Sequence, residues 1–270
     1  MTLDVAISTF KPEGLQKVEK MLLPPQEDVR YIISWQLHAN APVPESLKAR
    51  DDVEIHRFDL KGLSNNRNNC IDHCRGDIIL IADDDLEYHP DAFKSIIKTF
   101  EENPEIDLAT FKIKFLNPKV YPESDCRLNI PLPKNYYVSS IEIAYRKGSL
   151  KDLRFWSELG IGNDLLGCGE EELFLTSAIK RGHEGRFIDK EIALHPQLTT
   201  GDKVSDSTFR GQGFIIGVLY PFSSFLRVPL KVYRTWRMQK VSFFKALREM
   251  SKGLFYSKTL WKKIPENCRW

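Results

Sequence analysis

Residues 76–87 read GDIILIADDDLE, an apolar run that ends in three consecutive carboxylates. Such a continuous run predicts a strand at 77–82 that is covered on both faces, as in a parallel sheet. Ligands of an open α/β sheet bind beyond the carboxyl ends of its strands, which is where Asp83, Asp84 and Asp85 stand. Adjacent carboxylates repel one another unless a cation neutralises them, and oxygen ligands suit Mg²⁺ or Mn²⁺. Taken alone, the triplet is equally consistent with a solvated acidic turn.

The first half of the chain alternates short apolar runs with helical patterns, which is typical of a mostly parallel sheet flanked by helices. Strands are predicted at 5–8, 29–35, 53–58, 77–82, 107–116, 138–145 and 186–194. Helices are predicted at 14–23, 64–75 with Ser64 as the N-cap, 90–102, 170–181, 229–240 and 243–254. A Pro-rich polar segment at 117–134 marks a domain seam. We therefore expect two halves, 1–120 and 121–200, and a C-terminal helical extension at 201–270.

Three further motifs have the residue types of a catalytic or binding site. Residues 62–68 read GLSNNRN, and a helix N-terminus with Arg67 in its first turn is a natural anion site. An ordinary capped helix with an exposed Arg explains this stretch equally well. Residues 169–172 read GEEE at a predicted helix start, where acids suit the helix dipole or supply a general base. His195 ends a predicted strand, and a lone His is more often structural than catalytic.

The order of these motifs along the chain resembles that of glycosyltransferase family 2. The stretch 62–85 is similar to the family segment in which Gly, Ser and Arg-Asn precede a Gly-Asp pair, an apolar strand and a D-x-D motif. Residues 169–171 resemble the family's G-E-D motif, and His195 resembles its late histidine. The resemblance covers roughly residues 3–200. It implies the GT-A fold, with a Rossmann-like nucleotide-binding half at 1–120 and an acceptor half at 121–200.

The same resemblance implies an inverting transfer from a nucleotide-sugar, with a UDP-sugar favoured, to a hydroxyl of a glycan or lipid-linked acceptor. By position, Glu171 is the base that accepts the proton of that hydroxyl, and Glu170 helps to hold a sugar. Asp85, Asp83 and His195 are expected to hold Mn²⁺ or Mg²⁺, which neutralises the departing diphosphate.

The residues expected to bind the nucleotide-sugar are Thr9, Phe10, Trp35, Arg67, Asn68, Asp83 and Asp84. The first two end the first strand and should border the nucleoside, and Arg67 should contact the nucleotide or diphosphate. The family often has an acidic pair after its second strand. This chain has Ser34-Trp35-Gln36 there, and Trp35 is expected to offer a stacking face for the base.

The charge of the chain is unevenly distributed. The net charge is only +2, so the whole chain is not expected to bind nucleic acid. Between Arg227 and Lys263, however, eleven Lys or Arg and one acid give a local charge of +10, and the remainder carries −8. The predicted helices in this segment combine cations with large apolar residues. They are equally consistent with docking on an anionic membrane face and with packing on the catalytic domain.

The cysteine content and the hydropathy indicate the compartment. The five cysteines include no CxxC pair and are odd in number, which favours a reducing compartment. The N-terminus lacks the basic and apolar regions of a signal peptide. The longest uncharged stretch, 211–226, is too short to span a bilayer. We therefore expect a cytoplasmic protein, soluble or peripheral on the inner membrane face.

Two alternative functions share an α/β frame with a carboxylate site. A sugar nucleotidyltransferase should have a Gly-rich, basic loop after the first strand, where this chain reads STFKPEG. A membrane-peripheral scaffold with a decayed transferase domain would bind partners without catalysis. The sequence contains neither the GxGxxG of a dehydrogenase after the first strand nor a P-loop.

Overall fold

The computed structural model describes residues 1–196, 205–239 and 241–270 of the chain. These residues form two compact units. The first comprises Met1–Lys61, Asn65–Leu153 and the chain from Leu175 to the end of the last strand. The second comprises Gly62–Ser64, Arg154–Phe174 and the described residues from 205 onward.

Strands and helices alternate in the first half, and helices dominate the C-terminal part. Within the described residues, the strands are β1 (Leu3–Phe10), β2 (Val29–Gln36), β3 (Val53–Phe58), β4 (Ile78–Asp83), β5 (Glu87–Tyr88), β6 (Leu108–Phe115), β7 (Cys126–Arg127), β8 (Ile143–Arg146) and β9 (Gly185–His195). The α-helices are α1 (Gly14–Met21), α2 (Glu45–Lys48), α3 (Leu63–His73), α4 (Ala92–Glu102), α5 (Glu170–Lys180), α6 (Asp206–Leu219), α7 (Ser224–Gln239) and α8 (Phe243–Leu260). The predicted α/β class is confirmed.

The sheet of the first unit has the strand order β3-β2-β1-β4-β8-β6-β9-β5, with β7 paired to β9. Strands β3, β2, β1 and β4 are parallel neighbours, and β8 is antiparallel to both β4 and β6. The apolar run of β4 is buried except for Asp83, as its continuous hydrophobicity predicts. Ser8 of β1 pairs in register with Asp83 of β4 and with Ser34 of β2. The carboxyl ends of three strands therefore meet at one edge of the sheet.

A buried carboxylate ties the opposite edge of the sheet together. The Asp4 side chain has no exposed surface. It accepts hydrogen bonds from the Arg30 guanidinium at 2.8–3.0 Å and from the backbone N–H of Arg75 and Gly76 at 2.5 and 2.6 Å. These partners give the buried charge the hydrogen bonds that it needs away from water. Asp4 thus joins β1, β2 and the turn that precedes β4.

Two predicted elements differ in the structure. Of the predicted strand 138–145, Ser140–Glu142 forms a 3-10 helix, and the sheet begins only at Ile143. The reason is Glu142, which is fully buried and accepts hydrogen bonds from the Lys119 ammonium and the Tyr121 hydroxyl. Ser64 is not the N-cap of α3, because the helix begins at Leu63. The Ser64 hydroxyl instead donates to the Leu159 carbonyl at 2.5 Å.

The second unit contains α6, a helix that the sequence patterns did not predict. Its glycines at 211, 213 and 217 read as helix-breaking residues, yet each lies in close contact with another segment. The first two face backbone atoms, and Gly217 faces side chains of α8. A Cβ on Gly213 would stand 2.0 Å from the Met250 carbonyl oxygen of α8, and one on Gly253 would stand 1.9 Å from the Arg210 carbonyl oxygen of α6. The glycines therefore permit a close approach of the two helices that any larger residue would block.

We predict that Gly213→Ala destabilises the protein by about 1–3 kcal/mol, the usual cost of overpacking a filled interior. The sign is diagnostic, because Gly→Ala in an unobstructed helix stabilises by up to about 1 kcal/mol. Urea unfolding followed by circular dichroism measures the change. Gly148→Ala, in the turn after β8, is the control for a Gly→Ala change without a clash, since a Cβ there meets no atom within 4 Å. Equal or higher stability of Gly213→Ala would show that α6 and α8 do not touch backbone to backbone.

Candidate active site

The three carboxylates after β4 take three different environments. Asp84 turns inward and accepts a hydrogen bond from the Thr9 hydroxyl of β1 at 2.5 Å, and Lys17 Nζ of α1 lies 3.5 Å from its other oxygen. Thr9 is itself 1% exposed, and its carbonyl oxygen accepts a hydrogen bond from the Asn66 amide at 2.9 Å. Burial raises the pKa of Asp84, while the Thr9 hydrogen bond and the Lys17 charge oppose that rise. Asp84 thus fixes the turn.

Asp83 faces an arginine of helix α3. Its Oδ1 atom lies 3.2 Å from the Arg67 guanidinium, whose side chain is only 3% exposed, whereas Asp83 is 33% exposed. The pair places a positive charge at the carboxyl edge of the sheet beside the negative triplet. Arg67 was expected to contact a nucleotide or diphosphate, and this position at the end of β4 is open on the Asp83 side. The predicted contact of Arg67 with ligand stays a prediction.

Asp85 pairs with the histidine that ends β9. His195 Nε2 lies 3.4 Å from Asp85 Oδ1, and both side chains are largely buried, 7% and 20% exposed. The Oδ1 atom has no solvent exposure and no hydrogen bond with any described residue. Burial raises the pKa of Asp85, and the nearby His195 opposes the rise. A buried carboxylate oxygen without a hydrogen bond is costly, so this atom is suited to a ligand that the protein alone does not provide.

The donor set at this edge fits a divalent cation. Carboxylate and imidazole atoms are ligands of Mn²⁺ and related ions, and Asp85 and His195 come from two strand ends that are far apart in the chain. Among the described residues, these two and Asp83 are not a group whose three ligand atoms lie within 4.8 Å of one another. These side chains therefore supply donor atoms of the right chemistry but do not by themselves surround an ion.

The group that meets the distance condition is Glu54, His56 and His73. The two imidazole rings are stacked, with centroids 3.4 Å apart and planes 7° apart. A ring nitrogen binds a metal with its in-plane lone pair. Lone pairs of parallel stacked rings point side by side instead of converging on one ion. This cluster is therefore a histidine stack between the outermost strand β3 and the end of α3, and we do not assign a metal to it.

The residues expected around the nucleoside differ in exposure. Phe10, at the end of β1, is 47% exposed and available for contact. Asn68 is half-buried on α3. Trp35 has no exposed surface, and its indole N–H donates to the Lys11 carbonyl at 2.6 Å. The indole face predicted to stack on the base is thus packed in the core, and we assign Trp35 a structural role.

Two residues of this edge were missed in the sequence. Asn66, 2% exposed, holds the backbone of Thr9, and Lys17 neutralises part of the charge on Asp84. Asn66 stands next to Arg67 in the motif 62–68, and this position in the motif would have indicated it as a site residue. Lys17 lies on an amphipathic helix whose other cation, Lys20, is exposed to solvent, so nothing in its pattern singled it out.

The helix acids belong to the second unit. Gly169 has a φ of +102°, a conformation that favours glycine, and α5 starts at the next residue. Glu170 is 4% exposed, and a Cβ on Gly160 would lie 2.8 Å from its carboxyl carbon. Glu171 is half-buried. The carboxylate of Glu170 is therefore packed against the Gly160 loop, and Glu171 retains access to solvent.

Comparison with known proteins gives a family match for part of the chain. Residues 41–154 match the family model described as glycosyl transferase family 2. The matched range contains Arg67, Asn68 and the acid triplet. The predicted resemblance to this family is confirmed over these residues. The match covers less than half of the chain, and no curated protein sequence matches it.

Solved structures of TarS from S. aureus share the fold of this chain. TarS 1–349 in complex with UDP is 15% identical with a TM-score of 0.59, over 97% of this chain and 92% of that chain. Its complex with UDP-GlcNAc is 16% identical with a TM-score of 0.57, over 96% and 88%. A third TarS structure is 17% identical with a TM-score of 0.59, over 96% of this chain and 53% of that one. Identities this low establish the fold alone, and the GT-A prediction is confirmed.

Proposed function

We propose that this chain is a metal-dependent, inverting glycosyltransferase. It moves a sugar from a UDP-sugar to a hydroxyl of a glycan or lipid-linked acceptor, as in cell-surface polysaccharide synthesis. The observation that carries the proposal is Asp85 Oδ1. This buried oxygen lacks a hydrogen bond with the described residues, lies 3.4 Å from His195 Nε2, and stands where parallel strands end. That position is the ligand-binding edge of an open α/β sheet.

In the proposed reaction Glu171 accepts the proton of the acceptor hydroxyl. The hydroxyl oxygen forms a bond to the anomeric carbon as the bond from that carbon to the diphosphate oxygen breaks, and the electron pair leaves with UDP. Attack from the face opposite the leaving group inverts the anomeric configuration. Glu171 suits this role because it is a carboxylate with solvent access at a helix start. Glu170, packed on the Gly160 loop, holds the shape of the segment and helps to position a sugar.

The charge of the leaving diphosphate needs compensation. Asp85, Asp83 and His195 would hold Mn²⁺ or Mg²⁺, which supplies positive charge to the diphosphate oxygens. Arg67 contributes a fixed positive charge next to Asp83. Thr9, Phe10 and Asn68 border the nucleotide, and Asp84 keeps the turn in place through its hydrogen bond with Thr9.

UDP is the favoured nucleotide because TarS, which shares the fold, has been crystallised with UDP and with UDP-GlcNAc. For the acceptor, the basic segment 227–263 supports a lipid-linked molecule reached from an anionic membrane surface, on the inner face of the membrane. Lys and Arg near such a surface are attracted by about 1 kcal/mol each. We therefore propose that the protein is cytoplasmic and peripheral on the inner face of the membrane.

A thermal-shift screen tests the donor proposal. UDP-, GDP- and dTDP-sugars are added with Mn²⁺ and, separately, with EDTA. A UDP-sugar at about 100 times its Kd should stabilise by roughly 2.7 kcal/mol, which corresponds to a rise in Tm of roughly 5–10 °C for a chain of this size. The rise should vanish in EDTA. No shift with any nucleotide-sugar in Mn²⁺ would reject the proposal and favour a decayed scaffold, and a shift with nucleoside triphosphates alone would favour a sugar nucleotidyltransferase.

A further inference from the structure

Helix α7 of the second unit has two separate apolar faces. One face is packed inward through Val228 and Val232, which are 2% and 0% exposed. These residues form a small core with Phe209 of α6 and with Ala246 and Met250 of α8. This core accounts for the folding of α7, and the other apolar residues of the helix are left to be explained.

The second face is open to solvent. We call it the α7 stripe, and it consists of Phe225, Leu226, Leu230, Tyr233 and Trp236, with exposures of 65%, 63%, 50%, 45% and 46%. At 100° per residue these five positions fall within an arc of about 140° on one side of the helix. Phe222, in the turn before the helix, is 94% exposed. Contiguous exposed aromatic and aliphatic surface of this kind marks an interaction site in a folded protein.

The cations of α7 occupy the sector next to the stripe. Arg227, Lys231, Arg234 and Arg237 fall between about 120° and 240° from Phe225 around the helix. The helix contains no acid, and none of the four cations forms a salt bridge with a described residue. The single acid of the basic segment, Glu249 on α8, is already engaged by Arg210, Arg248 and Lys252 at 2.7–2.9 Å. The charge of α7 is therefore available to an anionic partner.

We infer that α7 lies in the plane of an anionic bilayer surface, with the α7 stripe inserted among the headgroups and the cations against the phosphates. The inference deepens the proposed function, on which it rests for the presence of a lipid-linked acceptor. An apolar stripe with Trp and Tyr beside a basic sector is the pattern of interfacial helices. Among the described residues, no helix has the length and apolar character to cross a bilayer. A second copy of the chain fits less well, because pairing two stripes would bring two unneutralised basic sectors together.

Substitutions within the intact chain test the docking surface. Deletion after residue 226 is unsuitable, since it removes Ala246 and Met250 from the core of α6. The stripe variant carries Phe225→Gln, Leu230→Gln and Trp236→Gln, since Gln is a good helix former. The matched control carries Leu60→Gln, Leu116→Gln and Val120→Gln, three apolar residues of the first unit with exposures of 62%, 57% and 55%. Circular dichroism verifies that both variants are folded.

Co-sedimentation with vesicles containing phosphatidylglycerol is the main readout. The wild-type chain and the control should bind equally, and the stripe variant should bind at least about 100-fold more weakly, because three large side chains no longer enter the interface. The pair Lys231→Gln and Arg234→Gln should weaken binding to anionic vesicles by roughly 30-fold. Added salt should also weaken wild-type binding to anionic vesicles, because it screens the attraction between charges. On anionic vesicles the tryptophan emission should shift to the blue, and Trp236→Phe should reduce that shift.

Three results would overturn the inference. The first is equal vesicle binding by the stripe variant and the wild type. The second is an equal loss of vesicle binding in the control. The third is a wild-type chain that forms dimers but does not bind vesicles, together with a stripe variant that is monomeric. The last result would assign the stripe to a second copy. The proposed function is tested apart from the membrane, since the thermal shift with a UDP-sugar is measured without vesicles and should be the same in the stripe variant. A failure of that shift in the wild type rejects the donor proposal and leaves vesicle binding as an independent result.

Discussion

Glu171→Gln should lower sugar transfer by about 10²–10⁴-fold, the usual effect of losing a positioned base. The amide keeps the shape of the side chain and removes its basicity. A base that acts only in the chemical step contributes to the transition state and not to donor binding, so the Kd of the UDP-sugar should stay within a few-fold. The measurement is kcat for transfer together with the Kd from donor titration.

The neighbouring acids of the same turn provide the controls. Glu172→Gln removes an equal charge from the helix start. It should change transfer only slightly, because the proposed reaction gives Glu172 no part beyond its effect on the helix dipole. Glu170→Gln should affect stability or donor binding, because that carboxylate is packed on the Gly160 loop. Near-normal transfer in Glu171→Gln with a loss in Glu170→Gln would reverse the two roles. If neither variant loses activity, the acids serve only the dipole.

Asp85→Asn should abolish the metal-dependent part of nucleotide binding while the protein stays folded. The amide removes the negative charge from the buried oxygen that no described residue satisfies. Loss of even an indirect partner of a metal site costs about 10–100-fold in metal affinity, so loss of a ligand should cost at least that. Isothermal titration of UDP in Mn²⁺ and in EDTA, for wild type and variant, measures the difference.

The control for Asp85→Asn is Asp51→Asn, an exposed acid in the turn before β3, which should leave UDP affinity in Mn²⁺ unchanged. His195→Gln should weaken Mn²⁺-dependent binding as well, since His195 Nε2 faces the same oxygen. Unchanged UDP affinity in Mn²⁺ for Asp85→Asn would remove the triplet from the donor site.

The parts of the fold that sequence predicted are those in which a local pattern and the tertiary environment agree. Strand β4 was predicted because a strand buried on both faces has a continuous apolar sequence. Helix α6 was missed because its glycines lower helix propensity, whereas in the structure they allow contact with α8. The start of β8 was misplaced because Glu142 turns inward toward Lys119, a partner twenty-three residues away.

In the candidate site, too, local patterns were predicted from the sequence and tertiary contacts were not. The sequence predicted that Asp85 and His195 would serve one site, and the structure brings them within 3.4 Å. It did not predict which carboxylate would be held by Thr9 and which would face Arg67, because side-chain direction after a strand depends on packing with other strands. Trp35 was expected at the base because of its ring, but β2 is buried on both faces and the ring packs in the core.

The most direct test of metal-dependent glycosyl transfer is the release of UDP from a UDP-sugar by the intact chain, in Mn²⁺ and in EDTA, with Asp85→Asn as the comparison. Slow hydrolysis of the donor reports the reaction even before the acceptor is identified. We predict UDP release in Mn²⁺ that ceases in EDTA and in Asp85→Asn. UDP release that is equal in Mn²⁺ and EDTA, or unchanged in Asp85→Asn, would contradict the assignment of the triplet, and no release from any nucleotide-sugar would contradict the transferase activity itself.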